Sequence, residues 1–203
     1  MDTDGTRRGE WVELYPDSTL RAKGLFINGK RSGEWKYYFP GEVLEQVGEY
    51  KNGLLNGTWT WYFPNGKVQK QEDFFDGQPE GSFVEYDEKG NIIAKGTYFE
   101  GMKTGQWREV SGDIVSEGEY RNDRQVGEWT SYYANGKPYF KGTFKGGYPD
   151  GEHCYYYPNG RLREIQSYSG GIRNGVWKKF LDNGELLFEE KYEQDKDEIL
   201  LDN

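Results

Sequence analysis

Cysteine, histidine and methionine are almost missing from this chain, with one Cys, one His and two Met in 203 residues. A single cysteine excludes an internal disulfide framework and leaves the redox compartment barely constrained. A metal site needs three or four converging ligands, and no zinc spacing, Gly-rich phosphate loop or Gly-x-Ser-x-Gly elbow occurs. No apolar run approaches a membrane span, and "MDTDGTRRGEW" lacks the apolar core of a secretion signal. The chain therefore reads as soluble and cytoplasmic, with a periplasmic or surface location as the alternative if a signal was removed. Positive charge is also short: 26 Lys and Arg against 35 Asp and Glu leave a net charge of −9. Acidic faces repel nucleic acid and anionic membranes, so neither is expected as a ligand, whereas a basic protein partner fits.

Hydrophobic residues make up only 34%, yet 17% are aromatic and 29 are glycine. Tyr, Phe and Trp must supply the buried surface, in a turn-rich β protein that is neither collagen nor disordered. Self-similarity explains the composition. Gly9, Gly33, Gly57, Gly81, Gly105, Gly127, Gly151 and Gly175 recur every 24 residues, with one spacing of 22. Two residues after each stand Trp11, Trp35, Trp59, Phe83, Trp107, Trp129, His153 and Trp177, so six of the seven tryptophans share a slot. Three further on come Leu14, Tyr38, Tyr62, Tyr86, Val110, Tyr132, Tyr156 and Phe180. A last aromatic slot holds Phe26, Tyr50, Phe74, Tyr98, Tyr120, Phe144, Tyr168 and Tyr192.

Between the apolar pairs lie "FPNGKV" (63–68), "YANGKP" (133–138), "YPNGRL" (157–162) and "LDNGEL" (181–186). Asn-Gly tolerates the positive φ of a two-residue type I′ turn, so each copy reads as strand, tight turn, strand. A second glycine loop, such as "KNGLLNG" (51–57), leads into the next hairpin. The expected fold is all-β: an elongated, single-sheet antiparallel meander of eight hairpin repeats. Residues 1–8 are a lead-in, 9–194 the repeats, and 195–203 an acidic tail or cap whose "ILL" (199–201) covers the last edge strand. Sixteen strands would span about 75 Å. The fifth copy lacks two residues at its turn, an even deletion that keeps every side chain on its face. The Trp and Tyr slots are three apart, which demands a bulge or a sheet packed on both sides. One copy buries too little to fold alone, so stability must come from stacking on neighbours.

The stretch "GEWKYYFPGEVLEQVGEYKNGLLNGTWTWYFPNGKVQKQEDFFDG" (33–77) resembles the variant MORN repeat of bacterial YwqK-type antitoxins, and the likeness runs from about Gly9 to Tyr192. The resemblance implies antiparallel hairpin arrays and a non-catalytic antitoxin or immunity protein that masks a cognate toxin. A general scaffold or membrane-associated adaptor is the alternative it leaves open.

The slot two after the Trp holds Glu13, Tyr37, Trp61, Glu85, Glu109, Ser131, Tyr155 and Lys179. It is mostly polar but aromatic in copies 2 and 3, and Tyr and Trp are enriched at interface hot spots. The candidate partner-binding residues are therefore Tyr37 and Trp61, with Glu13, Glu85, Glu109 and Tyr155. No catalytic, cofactor or metal residue is assigned. His153 and Cys154 are neighbours that a strand sends to opposite faces, and His153 stands in the Trp slot, where it is expected to weaken one packing layer. Glu10, Glu34, Glu128 and Glu152 all follow the first glycine and read as a periodic solvated face rather than a catalytic pair. "DTDG" (2–5) faintly resembles the start of a calcium loop, without the later ligands.

Overall fold

The computed structural model describes residues 6–193, so the "DTDG" stretch, the tail and its "ILL" lie outside the described residues. Contacts divide the chain into two units, Met1–Lys103 and Thr104–Asn203. The first carries β1 (Gly9–Leu14), β2 (Leu20–Ile27), β3 (Lys30–Tyr38), β4 (Leu44–Lys51), β5 (Leu54–Tyr62), β6 (Val68–Phe75), β7 (Gln78–Tyr86) and β8 (Ile92–Phe99). Each pairs antiparallel with the next. From β9 (Met102–Ser111), the second unit continues through β10 (Ile114–Arg121), β11 (Arg124–Tyr132) and β12 (Pro138–Lys145). Then follow β13 (Tyr148–Pro149), β14 (Gly151–Tyr156), β15 (Leu162–Ser169), β16 (Ile172–Arg173), β17 (Gly175–Phe180) and β18 (Leu186–Tyr192), again a meander. No helix occurs among the described residues. Two expected strands are each split in two, at Asp150 and Asn174. Both residues still donate their N–H across the ladder, to Thr143 (2.9 Å) and Ser167 (3.0 Å).

The Asn-Gly loops within copies do not make the two-residue turn expected of them. At "FPNGK" the Phe63 N–H donates to the Lys67 carbonyl and the Gly66 N–H to the Phe63 carbonyl, both at 2.8 Å. The loop proper is therefore three residues, Pro64–Gly66, with positive φ at Gly66 only (+80°). Asn65 uses its side chain instead, accepting from the Lys67 N–H at 3.0 Å. True two-residue turns with both φ positive lie between copies, at Asn28–Gly29, Asn52–Gly53 and Asp76–Gly77. Gly53 also donates its N–H to the Arg31 carbonyl at 2.9 Å, tying the turn to the start of β3.

An odd loop shifts the register by one, and a bulge restores it. Seven hairpins carry that shift in one place, between Tyr37 and Tyr38 in copy 2 for example. The fifth hairpin has neither: Ser111 pairs with Ile114 across the two-residue loop Gly112–Asp113, and its register is regular. Its missing pair of residues thus removes an odd loop and its odd bulge together. Because the extra residue sits in the second strand, the first remains regular and sends Trp35 and Tyr37 to one face, Lys36 and Tyr38 to the other. Both sequence alternatives hold at once: a bulge is present, and each face carries aromatics. Lys23, paired with Lys36, places its ammonium 5.9 Å from the Tyr38 ring on this second, tyrosine face.

Burial in so thin a fold comes from a lock between copies. Opposite the single residue Gly48, strand β5 runs three, Gly57, Thr58 and Trp59, a wide bulge permitted by positive φ (+70°) at Gly57. The bulge folds the Trp59 indole onto Gly48, where a Cβ would lie 2.2 Å from the ring. The indole N–H donates to the Glu49 carbonyl at 3.0 Å. Trp35 repeats this over Gly24, donating to Leu25 (3.1 Å), and Trp129 over Gly118, donating to Glu119 (3.2 Å). Rings of the last aromatic slot stand edge-on between them: Tyr50 lies 6.0 Å from Trp35 at 84° and 5.0 Å from Trp59 at 80°. Backbone beneath and edges on both sides leave Trp35 and Trp59 only 1% exposed.

Candidate functional site

The slot two after the Trp becomes a line of direct cross-strand neighbours on the tryptophan face. In the first unit it runs Glu13, Ala22, Tyr37, Gln46, Trp61, Lys70, Glu85, Ala94. In the second it runs Glu109, Ser116, Ser131, Phe140, Tyr155, Glu164, Lys179, Phe188. All six sequence-predicted residues stand on these lines, Tyr37, Trp61, Glu13 and Glu85 in the first unit and Glu109 and Tyr155 in the second.

Tyr37 and Trp61 meet through Trp59 rather than directly. Tyr37 stacks on Trp35 (5.9 Å, 29°) and stands 6.3 Å from Trp59, which is 6.0 Å from Trp61. The Lys70 ammonium lies 3.9 Å from the Trp61 ring centroid and 2.9 Å from Glu72, a cation–π contact inside an ion pair. Ring faces are therefore used inward, and the surface presents ring edges, half-buried, with charges between them. Glu13 is paired with Arg21 at 2.9 Å, and Tyr155 packs 5.0 Å from Phe140, with the Arg163 guanidinium 5.6 Å from its ring. Arg31 covers Trp35 and Tyr50 (4.9 and 5.4 Å). The Nε atoms of Arg31 and Arg163 are buried without a hydrogen-bond partner, so stacking on rings holds these guanidinium groups.

Hydroxyls on this face resist ionisation. Burial, then the hydrogen bond with Tyr50 (3.2 Å), pushes the Tyr37 phenol well above its ordinary range. Burial, then the nearby Glu109 carboxylate, pushes Tyr120 up to about 12, and its hydroxyl donates to Glu109 at 3.2 Å. Burial also raises Tyr155 and Tyr168. Groups held neutral in the fold but free to ionise when unfolded lend stability below the unfolded value that is lost as pH rises through the folded one. Stability is therefore expected to fall steadily from about pH 10 upward. Urea midpoints measured across that range, alongside phenolate absorbance, check it; a midpoint independent of pH there contradicts it.

His153 and Cys154 part as expected, but not into a soft layer. His153 is 3% exposed, with Nε2 2.8 Å from the Thr143 carbonyl over Gly142, a small replica of the Trp lock. The space left by the smaller ring is taken by Phe140, 5.2 Å away and itself buried, with Phe144 at 4.9 Å. That filling corrects the expected weakness. Cys154 faces the other side, where burial first and Glu152 second push its thiol up, away from the reactive thiolate. Glu34 is exposed and paired with Lys36 at 2.7 Å. No group of three or more His, Cys, Asp or Glu able to hold a metal occurs among the described residues.

Sequence reasoning missed Lys70 and Arg163, whose slots carry no consistent residue type (Lys70 aligns with Ala22, Gln46 and Ala94), and Arg31, whose slot recurs as Arg7 and Arg173 but lies outside the aromatic pattern. It also gave no role to the glycines at 24, 48, 118 and 142, since the ring covering each arrives 11 residues later, in the next copy.

Tandem hairpins locked by rings, each unit with a line of aromatic and charged residues on its tryptophan face, define an all-β repeat scaffold. The chain belongs to the MORN repeat variant family, whose model matches residues 31–52, 55–76, 79–100, 125–145, 149–169 and 173–194, more than half of the chain. Each match opens two residues before one of the repeat glycines. No curated protein matches the chain.

Proposed function

We propose that this protein is a non-catalytic binding protein, an antitoxin or immunity protein that neutralises a cognate toxin by steric occlusion. The observation that carries this reading is the line Glu13, Tyr37, Trp61, Lys70, Glu85 on one face of a repeat scaffold with net charge −9. Aromatic edges supply anchors, and the acids complement a basic cleft on the toxin. Glu109 and Tyr155 stand in the same slot of the second unit and are the binding candidates there. The partner is a protein with a basic surface, met in the cytoplasm, with no nucleic acid or lipid required.

Co-expression with the product of the neighbouring gene tests this. Rescue of growth together with co-purification is the expected result; neither rescue nor a complex sinks the antitoxin reading. The family's repeat equally supports a general scaffold or membrane-associated adaptor. Flotation with anionic liposomes in place of a protein complex would favour that second reading.

A further inference from the structure

We propose that this chain associates head to tail with a second copy of itself, the outer edge of β1 in one copy pairing with the outer edge of β18 in the next. Neither edge has a strand paired to it among the described residues. Both are shaped as halves of the junction that joins one repeat to the next. At each internal junction the first glycine takes positive φ so that the bulge can fold a ring onto the preceding copy. Gly9 holds the same conformation (+81°), although among the described residues no preceding strand receives it. Trp11 is likewise set for a lock it does not make. It packs edge-on to Phe26 at 5.6 Å and is covered by Arg7 at 4.5 Å. Unlike Trp35, Trp59, Trp129 and Trp177, its indole N–H has no carbonyl among the described residues.

On β18, the repeat register puts the matching acceptor at the Lys191 carbonyl, with Glu190 in the glycine slot. A side chain there is tolerated: Gln166 occupies the same slot beneath Trp177, whose N–H still reaches the Ser167 carbonyl at 2.9 Å. Carrying over the register of β2 on β3 and β4 on β5 places Val12 opposite Glu189, Glu13 opposite Phe188 and Arg7 opposite Tyr192. The last repeats a pairing already present, Arg31 with Phe26 and Arg173 with Tyr168. Arg8 falls opposite Lys191, with Glu189 and Glu193 on either side of that lysine.

Both edges carry exposed apolar side chains, as do the inter-copy turns at Ile27, Phe75, Phe99 and Tyr148. Val12 and Leu14 are 59% and 53% exposed on β1, and Leu186, Leu187 and Phe188 are 52%, 58% and 47% exposed on β18. Unpaired strands with apolar side chains invite edge-to-edge addition. Because the two edges differ, the contact is heterologous and does not stop at a dimer unless it closes a ring. The interface is small, so the association is weak.

Sedimentation velocity of the full chain from low-micromolar to submillimolar concentration tests this. The weight-average mass should at least double across the series. Val12→Glu, at an exposed site beside Lys23, sets like charge against Glu189 and should return the monomer, and Val12→Glu with Glu189→Lys should restore the assembly. A monomer at every concentration overturns the proposal, whether because residues 194–203 occupy the β18 edge or because that edge binds nothing. Oligomers indifferent to Val12→Glu overturn it as well, since another surface must then hold them.

Discussion

Trp59→Ala is expected to destabilise the first unit by about 3–5 kcal/mol, the cost of truncating a fully buried large ring. The indole fills the whole depth of the junction between copies 2 and 3. It lies on Gly48, is flanked by Tyr50, Tyr37 and Trp61, and donates to the Glu49 carbonyl. Its removal leaves that carbonyl without the bond and the neighbouring edges facing a void that a sheet tied by regular ladders cannot close. In a repeat array each copy contacts mainly its neighbours, so the loss should appear as early melting around this junction. Urea unfolding with hydrogen exchange along β4 and β5 checks it. A loss under about 1 kcal/mol, the typical effect of a point substitution, would show that the lock is not what holds successive copies together.

Gly48→Ala should be nearly as damaging, through one added methyl group. Gly48 is not among the residues at positive φ, so the backbone would accept alanine; the obstacle is the ring 2.2 Å away. Overpacking in a rigid core costs about 1–3 kcal/mol, occasionally more, and here the methyl must displace the indole and forfeit its hydrogen bond. A cost of about 3 kcal/mol or more is expected. Gly57→Ala has the opposite profile, open space but strained φ (+70°), and should cost about 1–2 kcal/mol. Gly48→Ala combined with Trp59→Leu should lose less than the sum of the two changes, because the smaller side chain admits the methyl group; additivity would place the two residues out of contact.

These two residues also mark how far the fold was legible in the sequence. Periodic Trp and Gly located every hairpin, and the spacing of three between the Trp and Tyr slots marked aromatics on both faces of a regular strand, with the bulge in the strand that follows. The turn type was misread because Asn-Gly serves two loops. In Asn52–Gly53 both residues take positive φ, whereas in "FPNG" Pro64 holds the first loop position near −65° and leaves Gly66 alone to turn back. Proline is not required for it, since "YANGK" and "LDNGE" close the same three-residue loop with Ala134 and Asp182 in that position. What the sequence could not show was which residues would face each other once the bulges had set the register. Lys70 opposite Trp61 and Glu85, or Phe140 filling the gap beside His153, depends on partners in other strands. The line of binding candidates was visible as a slot because a strand preserves its face. Its electrostatics were not, since Lys70 aligns with Ala22, Gln46 and Ala94, Glu72 stands where most copies have glycine, and Arg31 recurs only as Arg7 and Arg173.

The most direct test of the account is the affinity of the co-purified protein partner for variants of each face, by calorimetry at fixed salt. Tyr37→Ala with Trp61→Ala, and separately Glu85→Lys, change the tryptophan face; Lys36→Glu and Thr60→Lys change the tyrosine face. In variants that remain folded, binding should weaken by about tenfold or more, roughly 1.4 kcal/mol, for the first group and little for the second. Unchanged binding by the first group, or losses confined to the second, would contradict the assignment of the tryptophan face as the partner-binding surface.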